Sequence, residues 1–253
     1  MEQLLEQHVL SEFKNPIGFL RARACWVFGR YGHLEFKNAN NIKIAVEGIT
    51  TCLMDAQLPV RVKAAVSLNC LLSQKEAENL LRPLLPQILE IYLKLMDQID
   101  NEGLVAALEG IVDSYQNEIV PYAYDLVVHL VNAFQKYCSK SNNLNKDDEE
   151  EDESEAELAA VGCLEAIRRI LLAKLPEKTY QTLSAVLIPV FNYCFSEEGS
   201  DFIDDALNCL NIILHNVNTI DGSLLFYYPI LVYIIIGLPE NLDFSVLITS
   251  GIY

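Results

Sequence analysis

Leu20-Arg21-Ala22-Arg23-Ala24-Cys25-Trp26, set against Val60-Arg61-Val62-Lys63-Ala64-Ala65-Val66 forty residues further on, decides the fold. Apolar, basic and small positions coincide, and Phe28 then falls on Leu68. A second match lies 46 residues apart, Gly162-Cys163-Leu164 against Asn208-Cys209-Leu210, with Ile167 on Ile213. Between them, Leu104-Val105-Ala106-Ala107-Leu108 repeats the small-residue step. Small side chains in mid-helix let neighbouring helices approach closely, while Leu, Ile and Val at i, i+3 and i+4 form the apolar stripe. A recurrence of about 40 residues is the period of HEAT-type helix pairs, a register that a globular helical bundle does not require.

Each first helix is followed by a second carrying a proline near its start, in Leu85-Pro86-Gln87, Val120-Pro121-Tyr122, Ile188-Pro189-Val190 and Tyr228-Pro229-Ile230. Proline is tolerated in a first turn and kinks a helix when deeper. The pattern predicts an orphan helix over 2–13, then pairs over 18–32 with 40–55, 59–73 with 76–98, 102–115 with 118–138, 156–173 with 177–195, and 200–217 with 223–237. A last helix begins near 243. The fold class expected is all-α: an α–α superhelix, a right-handed ARM/HEAT solenoid of antiparallel pairs filling 1–253 with roughly five and a half units. Met1 opens inside the amphipathic run Leu4-Leu5-His8-Val9-Leu10 with no cap before it, and 242–253 starts a helix with no stop signal. The sequence therefore reads as a stretch of a longer array.

Composition agrees: 51% of residues are apolar, with only 11 Gly and 9 Pro. The 18 basic against 35 acidic residues leave a net charge of -17, which disfavours direct nucleic-acid binding and suits basic partners or plain solubility. Seven cysteines, at 25, 52, 70, 138, 163, 194 and 209, show no metal-ligand spacing and read as core residues of a reducing compartment. No signal peptide opens the chain, and the greasiest run, 224–238, is too short for a membrane span.

The segment 139–155 breaks the helical pattern and is expected to be a disordered acidic loop between repeats. Within it stand Asp147, Asp148, Glu149, Glu150, Glu151, Asp152, Glu153 and Glu155, which hold nearly half the net charge. Two readings stay open for these residues: a solvated spacer, or a partner-binding tether that captures basic segments. About sixteen flexible residues reach roughly 20–25 Å, far enough to lie across a neighbouring surface. Charge-driven capture would be salt sensitive.

No catalytic constellation is present: His8, His33, His129 and His215 are scattered, and no P-loop, nucleophile elbow, dinucleotide fingerprint or zinc motif occurs. His129 and His215 read as structural histidines, and Gly29-Arg30-Tyr31-Gly32 as a helix stop. No cofactor, metal or catalytic residue is expected. Trp26 is expected in the core. Arg21, Arg23, Arg61 and Lys63 recur at matching places and are expected to tie each unit to the next through acidic partners.

The run Phe19-Leu-Arg-Ala-Arg-Ala-Cys-Trp-Val27, preceded by Leu5-Glu-Gln-His-Val-Leu10 and followed by Pro59-Val-Arg-Val-Lys-Ala-Ala65, resembles the middle of an importin-beta (karyopherin-beta) family nuclear transport receptor, of the importin-seven and importin-eight subgroup. Leu104-Val-Ala-Ala-Leu-Glu-Gly-Ile-Val-Asp-Ser-Tyr115 is similar to the segment that follows, and an acidic stretch before Ala159-Ala-Val-Gly-Cys163 keeps the order of elements. The likeness covers about residues 3–175. It implies a monomeric, non-enzymatic receptor that binds basic cargo such as ribosomal proteins or histones. It further implies passage through the pore on Phe-Gly nucleoporins and cargo release to the GTP form of Ran, shuttling between cytoplasm and nucleus without nucleic acid or membrane binding. In the family the main Ran-binding arch lies at the N-terminus, so it would be missing from a mid-chain stretch. An exportin, or a HEAT scaffold of a signalling complex, is the alternative.

Overall fold

A computed structural model of the chain describes residues 2–33, 36–99, 101–143 and 150–218, with side chains described outside 141–155. It divides into two units, Met1–Tyr115 and Gln116–Tyr253. The first holds α1 (Glu2–His8), α2 (Gly18–Tyr31), α3 (Ala39–Leu53), α4 (Leu58–Leu72), α5 (Lys75–Leu81), α6 (Leu85–Gln98) and α7 (Glu102–Ser114). The second holds α8 (Ala123–Asn143), α9 (Glu150–Leu172), α10 (Glu177–Cys194) and α11 (Ile203–Asn216). Helices pack on helices throughout, and no strand occurs among the described residues. This is the all-α helical-repeat class that the forty-residue register predicts. The expected helices over 223–237 and from 243 lie outside the described residues.

In the first unit α4 packs between α2 and α7, and α3 packs on α5. Ser67 Oγ donates to the Cys25 carbonyl at 2.7 Å, Cys70 Sγ to that of Phe28 at 3.3 Å, and Gln74 Nε2 to that of Gly32. Successive steps along α4 meet successive steps along α2, so the two helices run in the same direction. Their approach is close because glycine stands at the contact. A Cβ on Gly29 would come within 2.9 Å of the Ser67 Cβ and 3.0 Å of its Cα. Tyr92 of α6 is wholly buried and satisfies its hydroxyl by donating to the Ala65 carbonyl of α4.

In the second unit α8 packs on α9 and α10, and α11 on α9 and α10. Its core is aromatic. Phe134 of α8 meets Tyr193 edge-on at 5.8 Å and Phe202 at 5.5 Å, while Phe191 and Phe195 stack at 6.2 Å. The Tyr180 hydroxyl reaches the Leu171 and Ala173 carbonyls, each at 2.8 Å, and fixes the turn from α9 into α10.

Three expectations need correction. The helix over 76–98 is two helices, because Pro83 removes a donor just after Leu81 and the chain passes through a 3₁₀ turn before Pro86 opens α6. Pro189 lies well inside α10, not in its first turns. The stretch 139–155 is not loop throughout: α8 continues through Asn143 and α9 begins at Glu150. Extending a helix is far easier than nucleating one, glutamate is a good helix former, and its charge favours the N-terminal turns through the helix dipole. Residues 144–149 lie outside the described residues.

Candidate partner-binding surfaces

The acidic run divides at the start of α9. Asp147, Asp148 and Glu149 fall outside the described residues. Glu150, Glu151, Asp152, Glu153 and Glu155 occupy the first turns of α9.

The expected inter-repeat ties hold in part. Arg21 grips Asp55 with two nitrogens, Nε at 2.7 Å and Nη2 at 3.0 Å. Its Nη1 donates to the carbonyls of Asn15 (2.7 Å) and Pro16 (3.1 Å). Arg61 repeats the gesture one unit on, with Nη1 donating to the carbonyls of Asp55 (2.9 Å) and Ala56 (3.1 Å). Its Nη2 ends on the neutral Gln98 at 3.1 Å, not on a carboxylate. The Arg21 hydrogen bonds hold the Asp55 carboxyl below its ordinary range and raise the guanidinium in return. Arg23 and Lys63 form no such tie among the described residues.

Arg23 lies instead over the Trp26 ring, its guanidinium carbon 4.0 Å from the centroid. Trp26 is 41% exposed, which corrects the expectation that it sits in the core. Its place follows from register. Ala24, Cys25 and Phe28 take the buried side of α2, leaving Phe19, Arg23, Trp26 and Arg30 on an exposed stripe at i, i+4, i+7 and i+11. The apolar-basic-small pattern placed α2 in a repeat but gave an indole among alanines no reason to face water. The signal that could have found it was the spacing of Trp26 with Phe19 and the two arginines.

Among the described residues no group of three or more His, Cys, Asp or Glu could hold a metal ion. The cysteines are free, and all but Cys70 are buried. Burial pushes the Cys70 and Cys138 thiols up to about 11, away from the thiolate form that nucleophilic chemistry needs. His129 Nδ1 meets the Asp125 carbonyl one turn back in its own helix at 2.8 Å.

No family model matches the chain, and no solved structure does. Among curated proteins it is 34% identical to the Importin beta-like SAD2 homolog of Arabidopsis thaliana over 233 residues, 91% of this chain and 22% of that protein. It is 31% identical to the probable importin-7 homolog of Dictyostelium discoideum over 232 residues, 90% of this chain and 21% of that one. The chain belongs to the importin-beta family. Within that family its type is that of importin-7 and importin-8, and human importin-8 is 27% identical over 86% of the chain. The chain spans about a fifth of the length of these importins.

Proposed function

We propose that the chain is the cargo-handling stretch of a nuclear import receptor, a binding protein with no catalytic step. The observation that carries this reading is the likeness to importins along about nine-tenths of the chain. Its cargo is basic protein, of the ribosomal-protein or histone kind, captured by the acidic run Asp147–Glu155. The receptor meets Phe-Gly nucleoporins in the pore, releases cargo to Ran in its GTP form, and shuttles between cytoplasm and nucleus. Eight carboxylates within nine residues raise the local anion density far above that of the remaining surface. Capture by such a run speeds encounter and weakens steeply with salt. Release rests on a shift between two curvatures of a helical array, in which small rotations per repeat add up.

The test is fluorescence anisotropy of a labelled lysine-rich histone-tail peptide with the receptor containing this chain, intact and lacking 147–155, titrated with Ran-GTP and Ran-GDP. Release by the GTP form alone, together with binding about tenfold weaker and less salt sensitive after the deletion, is expected. Tight binding that ignores the Ran nucleotide would favour a scaffold and sink the import reading. GTP-Ran-strengthened binding would mark an exportin. Equal binding with and without 147–155 would return that run to a spacer.

A further inference from the structure

The exposed stripe of α2 combines cations with apolar side chains in an acidic chain. Phe19 is 73% exposed and Trp26 41%, with Ile17 also exposed at the start of α2 and Met54 at the end of α3. In a chain of net charge -17, α2 holds three cations, the neighbouring α4 two, and neither helix a single carboxylate. Arg21 and Arg61 spend their donors on the inter-repeat ties. Arg23, Arg30 and Lys63 stay exposed with no carboxylate partner among the described residues.

We propose that this face of α2, with the adjoining edge of α4, docks a short acidic peptide bearing aromatic or aliphatic anchors. The Arg23 guanidinium stacked on Trp26 steadies the indole toward solvent. Its N–H donors lie in the guanidinium plane, so stacking leaves them open to a carboxylate. Phe19 and Trp26, two turns apart, offer apolar contacts between flanking cations, the arrangement that an alternation of acidic and apolar residues matches. The global charge does not oppose this, because at physiological salt a field fades within about 8 Å and only the local cations count. It does oppose a polyanion or an anionic bilayer, whose many charges would meet the acidic remainder of the surface. The stripe is built from residues other than those of the acidic run, so its fate is independent of the transport reading.

The sole tryptophan is itself the reporter. The 253-residue chain would be titrated with a peptide of about a dozen residues, glutamates interspersed with two phenylalanines one helical turn apart. A saturable change in Trp26 emission is expected, with affinity falling as salt is raised. Arg23→Glu combined with Arg30→Glu should weaken binding about tenfold or more while leaving the thermal melt unchanged, since both side chains are exposed. Phe19→Ala should weaken it less, read by anisotropy as well as emission. The proposal is overturned if the charge-reversed variant binds equally well, or if a peptide with serines in place of the glutamates binds as tightly. It is equally overturned if heparin or anionic vesicles match the acidic peptide, or if emission does not change at millimolar peptide.

Discussion

In the unit Met1–Tyr115 neighbouring helices are joined by glycine and polar groups: Gly29 against Ser67, hydroxyl and thiol donors on α4 reaching carbonyls of α2, and Arg21 locked on Asp55. In the unit Gln116–Tyr253 rings join α8 to the chain around α10 and α11, with Phe134 wedged against Tyr193 and Phe202, although the first unit also pairs Phe13 with Phe28 and the second also sets the Cys209 thiol on the Leu164 carbonyl. The arginine chemistry differs too. Arg168 pairs with Glu165 of its own helix at 2.6 and 2.7 Å, and leaves Asp205 of α11 without comparable neutralisation. The two units thus use the same kinds of contact at different places: a glycine approach in the first is sensitive to a single added carbon, and the Phe134 cluster in the second to a lost ring.

The largest effect is expected from removing a ring. Phe134 is wholly buried, so Phe134→Ala should destabilise the second unit by about 3–5 kcal/mol, the usual toll of a large core cavity. Hydrogen exchange followed separately over each unit would check it. Loss of protection confined to the first unit would break the comparison. Next comes the added carbon. Gly29→Val should destabilise the first unit by about 2–3 kcal/mol, because its Cβ would meet the Ser67 Cβ and Cα as well as its hydroxyl, and only the hydroxyl can swing away. A melt indistinguishable from wild type would show that α2 and α4 can slide apart at little cost. Tyr180→Phe should cost about 1 kcal/mol by taking a donor from the buried Leu171 carbonyl at the α9–α10 turn, while the Ala173 carbonyl keeps the Leu175 N–H at 2.7 Å, and denaturant titration would measure it.

How much of this was legible beforehand depends on what each position asks of its residue. The forty-residue register announced α2 and α4, since a small-residue step with flanking Leu and Val has few other uses. It also placed Arg21 and Arg61 correctly, because equivalent arginines one unit apart meet equivalent turns. It could not say that Arg61 would end on Gln98, a partner 37 residues away set by three-dimensional approach alone. Trp26 escapes the sequence because periodicity of residue size along α2 does not specify which face meets water. The two ends of the acidic stretch escape it as well, because composition alone carries no trace of the cooperative pull of the adjoining helices.

The smallest effect tests the charge side of the comparison, and its sign differs between the units. Arg21 holds the Asp55 carboxyl below its ordinary value, so its stabilising contribution is complete above the unfolded value of about 3.9 and fades as pH falls through the folded one. Asp205 is pushed the other way, first by burial and then by the Glu165 and Asp204 carboxylates, with Arg168 only partly offsetting them. A raised acid favours the folded state below its unfolded value and loses that contribution as pH rises through the folded one. Asp55→Asn should therefore lower the thermal midpoint at neutral pH, whereas Asp205→Asn should raise it slightly. Both differences should shrink on acidification, that of Asp205 first, because its proton binds at the higher pH. Melts of the two variants between about pH 3 and 8 would decide the point. If both midpoints moved in the same direction at pH 7, Arg168 would be neutralising Asp205 as fully as Arg21 does Asp55, and the electrostatic contrast between the units would be gone.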